Sequence, residues 1–139
     1  MARVYRVEEA AGHVIRRVHQ RATSIFLDVM SDLGLTPTQF AALAKLHDEG
    51  ELSQNHLGRL TAMDPATVQG VIRRLVERGL VDRQADEGDR RRSILRLTDE
   101  GAKVATAAIA RGFEVTDRVL EPLNRRDRER AMALLARLM

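Results

Sequence analysis

The chain has no cysteine and no tryptophan, and its 139 residues include one tyrosine, three phenylalanines and three prolines. Without cysteine there is no disulfide framework, no thiolate metal site and no thiol redox switch. No apolar run approaches the roughly 20 residues of a membrane span. Arg3, Arg6, Glu8 and Glu9 interrupt the opening segment, against a secretory signal. The expected location is therefore the cytoplasm. Catalytic signatures are missing too: there is no HExxH and no Gly-rich phosphate loop. His47, Asp48, Glu49, Glu51 and His56 lie near one another in sequence but lack the spacing of a metal-ligand set. Neither an enzyme, a cofactor nor a metal is expected. Lysine is scarce as well, at two against 21 arginines, a bias that GC-rich codon usage produces on its own. The net charge of +3 is mild. The length favours one domain, 1–139, large enough to bury a core.

What the chain does contain is concentrated between Met63 and Leu97. Asp64 is a good N-cap and Pro65 suits the first helical position. Met63 and Val68 are spaced as a hydrophobic staple. Val68, Ile72, Leu75 and Val76 give an apolar stripe at helical spacing. Gly79 followed by Leu80 fits a left-handed stop. The opposite face carries Ala66, Thr67, Gln69, Gly70, Arg73 and Arg74. Short hydrogen-bonding groups near the start with cations further along are what a helix in a DNA major groove needs. An ordinary amphipathic helix with a solvated basic face has the same pattern.

Two strand-like runs follow, Leu80–Gln84 and Ser93–Leu97. Between them, Gly88 and its neighbouring aspartates supply turn chemistry. Arg90, Arg91 and Arg92 sit consecutively near the hairpin tip, where they repel one another unless a polyanion is present. A narrow minor groove attracts such side chains. Asp89 can pair with Arg91 and hold it in place. Helix followed by basic hairpin is the order of a winged helix-turn-helix.

The upstream part repeats the same grammar. Thr36 caps a helix with Pro37 at its first position, Gln39 for a capping box and a Leu35–Phe40 staple. Gly50 ends that helix, whose Phe40, Leu43, Ala44 and His47 are read as one face. Ser53 caps a short helix, about Gln54 to Leu60, and Thr61-Ala62-Met63 forms the turn. Ser53, Gln54 and Asn55 join the candidate DNA contacts. Longer helices flank this lobe of residues 36–97: an N-terminal one over about Val7 to Leu33, and a C-terminal region, 98–139, broken at Pro122-Leu123-Asn124. Their apolar stripes exceed what the lobe can cover, which predicts a homodimer formed through residues 7–33 and 98–139. The fold class is mostly α with a small β-hairpin wing.

This order of elements resembles the MarR (multiple antibiotic resistance regulator) family. The resemblance rests on Leu35-Thr36-Pro37-Thr38-Gln39-Phe40, Asp64-Pro65-Ala66-Thr67-Val68, Leu75-Val76-Glu77-Arg78-Gly79-Leu80-Val81 and, most specifically, Asp89-Arg90-Arg91-Arg92-Ser93 through Leu97-Thr98-Asp99-Glu100-Gly101. It implies a homodimeric transcriptional regulator, bound to double-stranded DNA at a pseudo-palindromic operator and released by a small ligand. Carried over, Arg91 is the minor-groove residue supported by Asp89, and Thr67, Gln69 and Arg73 face the major groove. Gly70 departs from the polar or basic residue of many relatives. It offers no side chain to a base, which points to close backbone approach or a methyl contact nearby instead. Peroxide sensing by a thiol is excluded by the absence of cysteine.

Gly12 through Gln20 is similar to the opening helix of the subgroup that controls aromatic-acid degradation. His13, Arg16, Arg17 and Gln20 fall on one helix face. Two cations and a histidine could hold a carboxylate or the phosphates of a CoA thioester. Phe26, Phe40 and His47 could wall an apolar pocket. The reading is a repressor released by an aromatic acid or aromatic acyl-CoA. Its alternatives are a regulator of drug efflux or stress response, or a ligand-independent DNA- or protein-binding module. A solvated or dimer-paired polar face is the simpler account of the His13 stripe.

Overall fold

In the computed structural model, which describes all residues from Met1 to Met139, a short 3-10 turn at Val7–Glu9 leads into α1 (Ala11–Val29). Then come α2 (Pro37–Glu49), β1 (Glu51–Ser53), α3 (Gln54–Leu60) and α4 (Pro65–Glu77). Strands β2 (Val81–Ala85) and β3 (Ser93–Leu97) precede α5 (Asp99–Leu120) and α6 (Arg125–Ala136). Six helices and one small antiparallel sheet make a winged helix-turn-helix on a helical stalk.

The local signals explain most boundaries. Thr36 accepts from the Gln39 backbone N–H while the Gln39 side chain accepts from the Thr36 N–H, a complete capping box. Ser53, Asp64, Thr98 and Asn124 each cap the helix that follows. After α4, the Gly79 N–H donates to the Val76 carbonyl and the Leu80 N–H to that of Leu75. This paired closure needs a left-handed residue, and Gly79 has φ 71°.

Three expectations need correction. The first helix is shorter than Val7 to Leu33: it starts at Ala11, has no side-chain cap, and closes at Val29 in a turn that runs to Gly34. The hairpin is the larger part of a three-stranded sheet in the order β1-β3-β2, with Leu52 opposite Leu95 on one side and Arg83 on the other. In α4 the buried stripe is Val68, Val71, Ile72 and Leu75, whereas Val76 is exposed. The i, i+3, i+4, i+7 set faces the core and position i+8 has drifted to its edge.

One aliphatic core ties lobe and stalk together. Met30, Leu43, Leu46, Leu57, Ile72, Leu75 and Leu95 are fully buried in it, with Ala105 and Ala108 from α5. Helix α5 packs against both α1 and α2. The outer parts of the stalk have no such cover. Val14, Ile15 and Val18 of α1, Phe113 of α5, and Met132, Leu134, Leu135 and Leu138 at the C-terminus are all exposed. No residue of α6 is buried. None of the helices is long and apolar enough to cross a membrane.

Candidate DNA interface and effector cleft

Helix α4 presents its reading face because its opposite face is fixed in the core. Ala66, Thr67, Gln69, Arg73 and Arg74 are exposed, and Gly70 is half-buried. The cap shapes the chemistry of Thr67. Asp64 accepts from the Thr67 backbone N–H at 2.8 Å and from its hydroxyl at 2.9 Å. With its proton committed to Asp64, the Thr67 hydroxyl can only accept from a base. These hydrogen bonds, the backbone one foremost, hold the Asp64 carboxyl below its ordinary range. The cap's contribution is therefore complete above pH 3.8 and is lost as pH falls through the lower folded-state value. Beside Gly70 nothing lies within 4 Å of where a Cβ would stand. The protein itself does not need glycine there.

The wing is organised by its aspartates. Asp86 accepts from the Gly88 backbone N–H at 3.0 Å, and Asp89 from that of Arg91 at 3.0 Å. Asp89 thus supports Arg91 through the backbone rather than by pairing with its guanidinium, because a carboxylate two residues ahead reaches the N–H of its own turn. Arg92 faces Asp86 at 3.8 Å. Arg90 and Arg91 are exposed and form no ion pair, and the same holds for Arg73 and Arg74. At the wing's base a small polar cleft brings Ser53, Gln54 and Asn55 together with Arg91, Arg92 and Ser93. The Gln54 Oε1 atom in this region is buried without a hydrogen-bond partner. Ser53 is occupied in capping α3, so its hydroxyl serves the His56 N–H first.

The sheet is joined to α5 by a close contact that sequence reading left unexplained. The Thr98 hydroxyl donates to the Gly79 carbonyl at 2.6 Å, and the Thr98 N–H donates to the Leu80 carbonyl at 3.1 Å. Gly101 lies directly against that Leu80 oxygen, where a Cβ would come to 1.9 Å.

Away from this face, α2 and α5 wall a cleft of about 490 Å³. Phe40, Ala44, Lys45, His47, Ile109 and Phe113 are among its lining residues. Phe40 stacks obliquely on Phe26, with ring centroids 5.7 Å apart. It also rests on α5 where Gly112 has no side chain: a Cβ there would stand 3.0 Å from the ring. Of the residues expected to meet a ligand, Phe40 and His47 line this cleft, and Phe26 reaches it only through Phe40. His13, Arg16, Arg17 and Gln20 do not line it within one protomer. The first turns of α1 project past the core, with no buried residue before Phe26, so Arg16, Arg17 and Gln20 face solvent. Arg16 instead lies 3.3 Å from the His13 ring nitrogen. The face read as Phe40, Leu43, Ala44 and His47 divides: Leu43 enters the core while the other three turn to the cleft. Lys45, Ile109, Gly112 and Phe113 were missed. A mid-helix glycine at 112 was the one signal in the sequence.

Comparisons with known proteins agree with this geometry. Residues 33–92 match the family model described as MarR family. The HTH-type transcriptional repressor NicR of Pseudomonas putida is 38% identical over 97% of this chain and 85% of its own length. The structure of Bordetella bronchiseptica BpsR, described as regulated in DNA binding by 6-hydroxynicotinic acid, superposes with a TM-score of 0.92. It is 34% identical, over 98% of this chain and 97% of that one. The PcaV transcriptional regulator of Streptomyces coelicolor, solved with its natural ligand, gives a TM-score of 0.89 at 33% identity over 99% and 96% of the two chains.

Proposed function

Because this chain belongs to the MarR family of DNA-binding transcriptional regulators, we propose that it is a homodimeric repressor released from its operator by a small aromatic acid. The observation that carries the DNA-binding half is the set of exposed, unpaired arginines on α4 and the wing tip, Arg73, Arg74, Arg90 and Arg91. Arg73, Arg74 and Arg90 neutralise phosphates, Thr67 and Gln69 reach base edges, and Arg91 enters the minor groove. Ser53, Gln54 and Asn55 hold the backbone at the foot of the wing, with Pro65 and Ala66 at the start of the reading helix. The exposed apolar faces of α1, α5 and α6 supply the dimer contact, so two copies of α4 meet two half-sites.

The cleft supports the ligand half. Its size falls within the roughly 300–1,000 Å³ of small-molecule sites. Phe40, Phe113 and Ile109 offer apolar walls for a ring, and Lys45 and His47 stand ready for a carboxylate. Lys45 already faces Asp48 at 3.6 Å, an exposed pair that a ligand carboxylate can replace at little cost. BpsR, at 34% identity, responds to an acid of this class. A bound acid wedges α2 from α5 and changes the separation of the two lobes. A preference of 1–3 kcal/mol for the non-binding separation weakens operator binding by about 5–150-fold.

Calorimetric titration with monocyclic aromatic acids and their CoA thioesters tests this. At least one acid is expected to bind and to release operator DNA, with Phe40→Ala binding at least about tenfold more weakly. A thioester that binds while its free acid does not would move the effector to the acyl-CoA class. Absence of heat and of DNA release across the panel contradicts the ligand half.

A further inference from the structure

Arg78 belongs to a sequence motif that the DNA-reading account leaves unused. It stands at the C-cap of α4, and its guanidinium turns back from the recognition helix to the α1–α2 connection. Its two arms donate to the carbonyls of Leu33 at 2.9 Å and Gly34 at 3.1 Å. These lie just past the end of α1, where carbonyls lack helical partners. From the other side, Arg111 of α5 grips the same connection. It forms a two-armed pair with Asp32, one contact at 2.7 Å, and donates to the Val29 carbonyl at 3.4 Å. Met30 and Leu35 beneath the connection are fully buried. A six-residue span, 29–34, is therefore held at once by the end of the recognition helix and by the stalk.

We propose that Arg78 and Arg111 are positioning residues for operator binding, which together clamp residues 29–34 and set the angle between α4 and the stalk. The inference rests on the dimeric reading above, in which that angle fixes the separation of the two recognition helices. A single arginine bridging two carbonyls resists rotation as well as translation, because its planar fork fixes both donors at once. Lysine at 78 keeps the charge but provides no such fork. Arg78 makes no contribution to the reading face, so its loss should alter geometry and leave the number of phosphate contacts intact.

The test uses the full chain and a labelled duplex selected from a random-sequence pool by the wild type. Two further duplexes have one base pair added or removed between half-sites. Arg78→Ala is expected to bind the selected duplex roughly tenfold more weakly. Discrimination against the shifted duplexes should fall by a similar factor, with the salt slope unchanged. Arg78→Lys should recover affinity only in part, and Arg111→Gln should behave like Arg78→Ala. Because the chain has no cysteine, a spin label at Gln84→Cys reports the separation of the two lobes without DNA. Its distance distribution should broaden in both variants.

Affinity within twofold of wild type with an unaltered distance distribution overturns the proposal. So does a loss that is uniform across the three duplexes with a salt slope shallower by about one, since that marks a phosphate contact. If Arg78→Ala does not fold, Arg78→Lys decides: full wild-type discrimination in that variant overturns the clamp. A wild type that selects no duplex contradicts the proposed function instead, and the label distances still judge the clamp.

Discussion

Gly101→Ala destroys the folded state or lowers its stability by at least about 3 kcal/mol, whereas Gly70→Ala raises stability by about 1 kcal/mol. Both are glycines inside helices, and intrinsic propensity treats them alike. The structure separates them. A Cβ at Gly101 would stand 1.9 Å from the Leu80 carbonyl oxygen. That oxygen is backbone, and it already accepts from the Thr98 N–H. Relief requires moving α5 away from the base of β2, which breaks the Thr98 hydrogen bonds to the Gly79 and Leu80 carbonyls and exposes Leu80 and Ala105, both buried. Such a loss is a large part of the 5–15 kcal/mol of a typical domain. At Gly70 nothing lies within 4 Å. A methyl group there removes only backbone freedom from the unfolded chain. If DNA backbone occupies that space in the complex, the same Gly70→Ala protein melts higher yet binds its operator more weakly. Thermal melts of the two variants, read beside operator titrations, check both statements. Equal stability of Gly101→Ala and wild type would show that α5 does not seat on Leu80 as described.

Arg91→Ala is expected to weaken specific operator binding by about 5–150-fold, the roughly 1–3 kcal/mol of a groove-reading arginine, with an unchanged melting temperature and an intact dimer. The reason is its lack of any competing partner. Its backbone is fixed by Asp89, so the side chain leaves a defined point on the wing, and its guanidinium pairs with nothing in the protein. Arg92 is the internal comparison. It has an aspartate at 3.8 Å to lose before it can meet DNA, so Arg92→Ala should cost less. A scrambled duplex separates readout from simple charge: Arg91→Ala should lose less affinity there than on the operator. Near-wild-type operator affinity in Arg91→Ala would remove the wing from the reading surface.

How much of this was legible in the sequence depended on the range of the interaction. Helix starts at Thr36, Ser53, Asp64 and Thr98 are written within four residues, since a cap and the N–H it serves are neighbours. The stop at Gly79–Leu80 is local in the same way. Strand β1 was not legible. It is three residues long and exists because Leu52 pairs with Leu95, 43 positions away. The N-terminal helix was read too long because its apolar period continues through segments that have no side-chain cap at the start and, beyond Val29, no glycine until Gly34. For the DNA interface, the sequence picked out the polar and basic face of α4 and the wing arginines, because one amphipathic helix and one hairpin carry them, but it placed Val76 on the wrong side of α4. For the cleft it supplied only the α2 side. Ile109, Gly112 and Phe113 come from α5, and nothing in their spacing says which helix they will face. The cationic stripe of α1 was legible as a face, but a face is not a site: within one protomer it lies outside the cleft.

The central claim is sequence-specific DNA binding by the α4 and wing surface. Its most direct test is fluorescence anisotropy of a labelled duplex from upstream of the protein's own gene, against a scrambled duplex, across a salt series. The account predicts tight binding to the native duplex, a steep fall with salt, and at least about 10³-fold weaker binding to the scrambled one. Equal, weak binding to both, in a folded protein that also selects nothing from a random duplex pool, would contradict it.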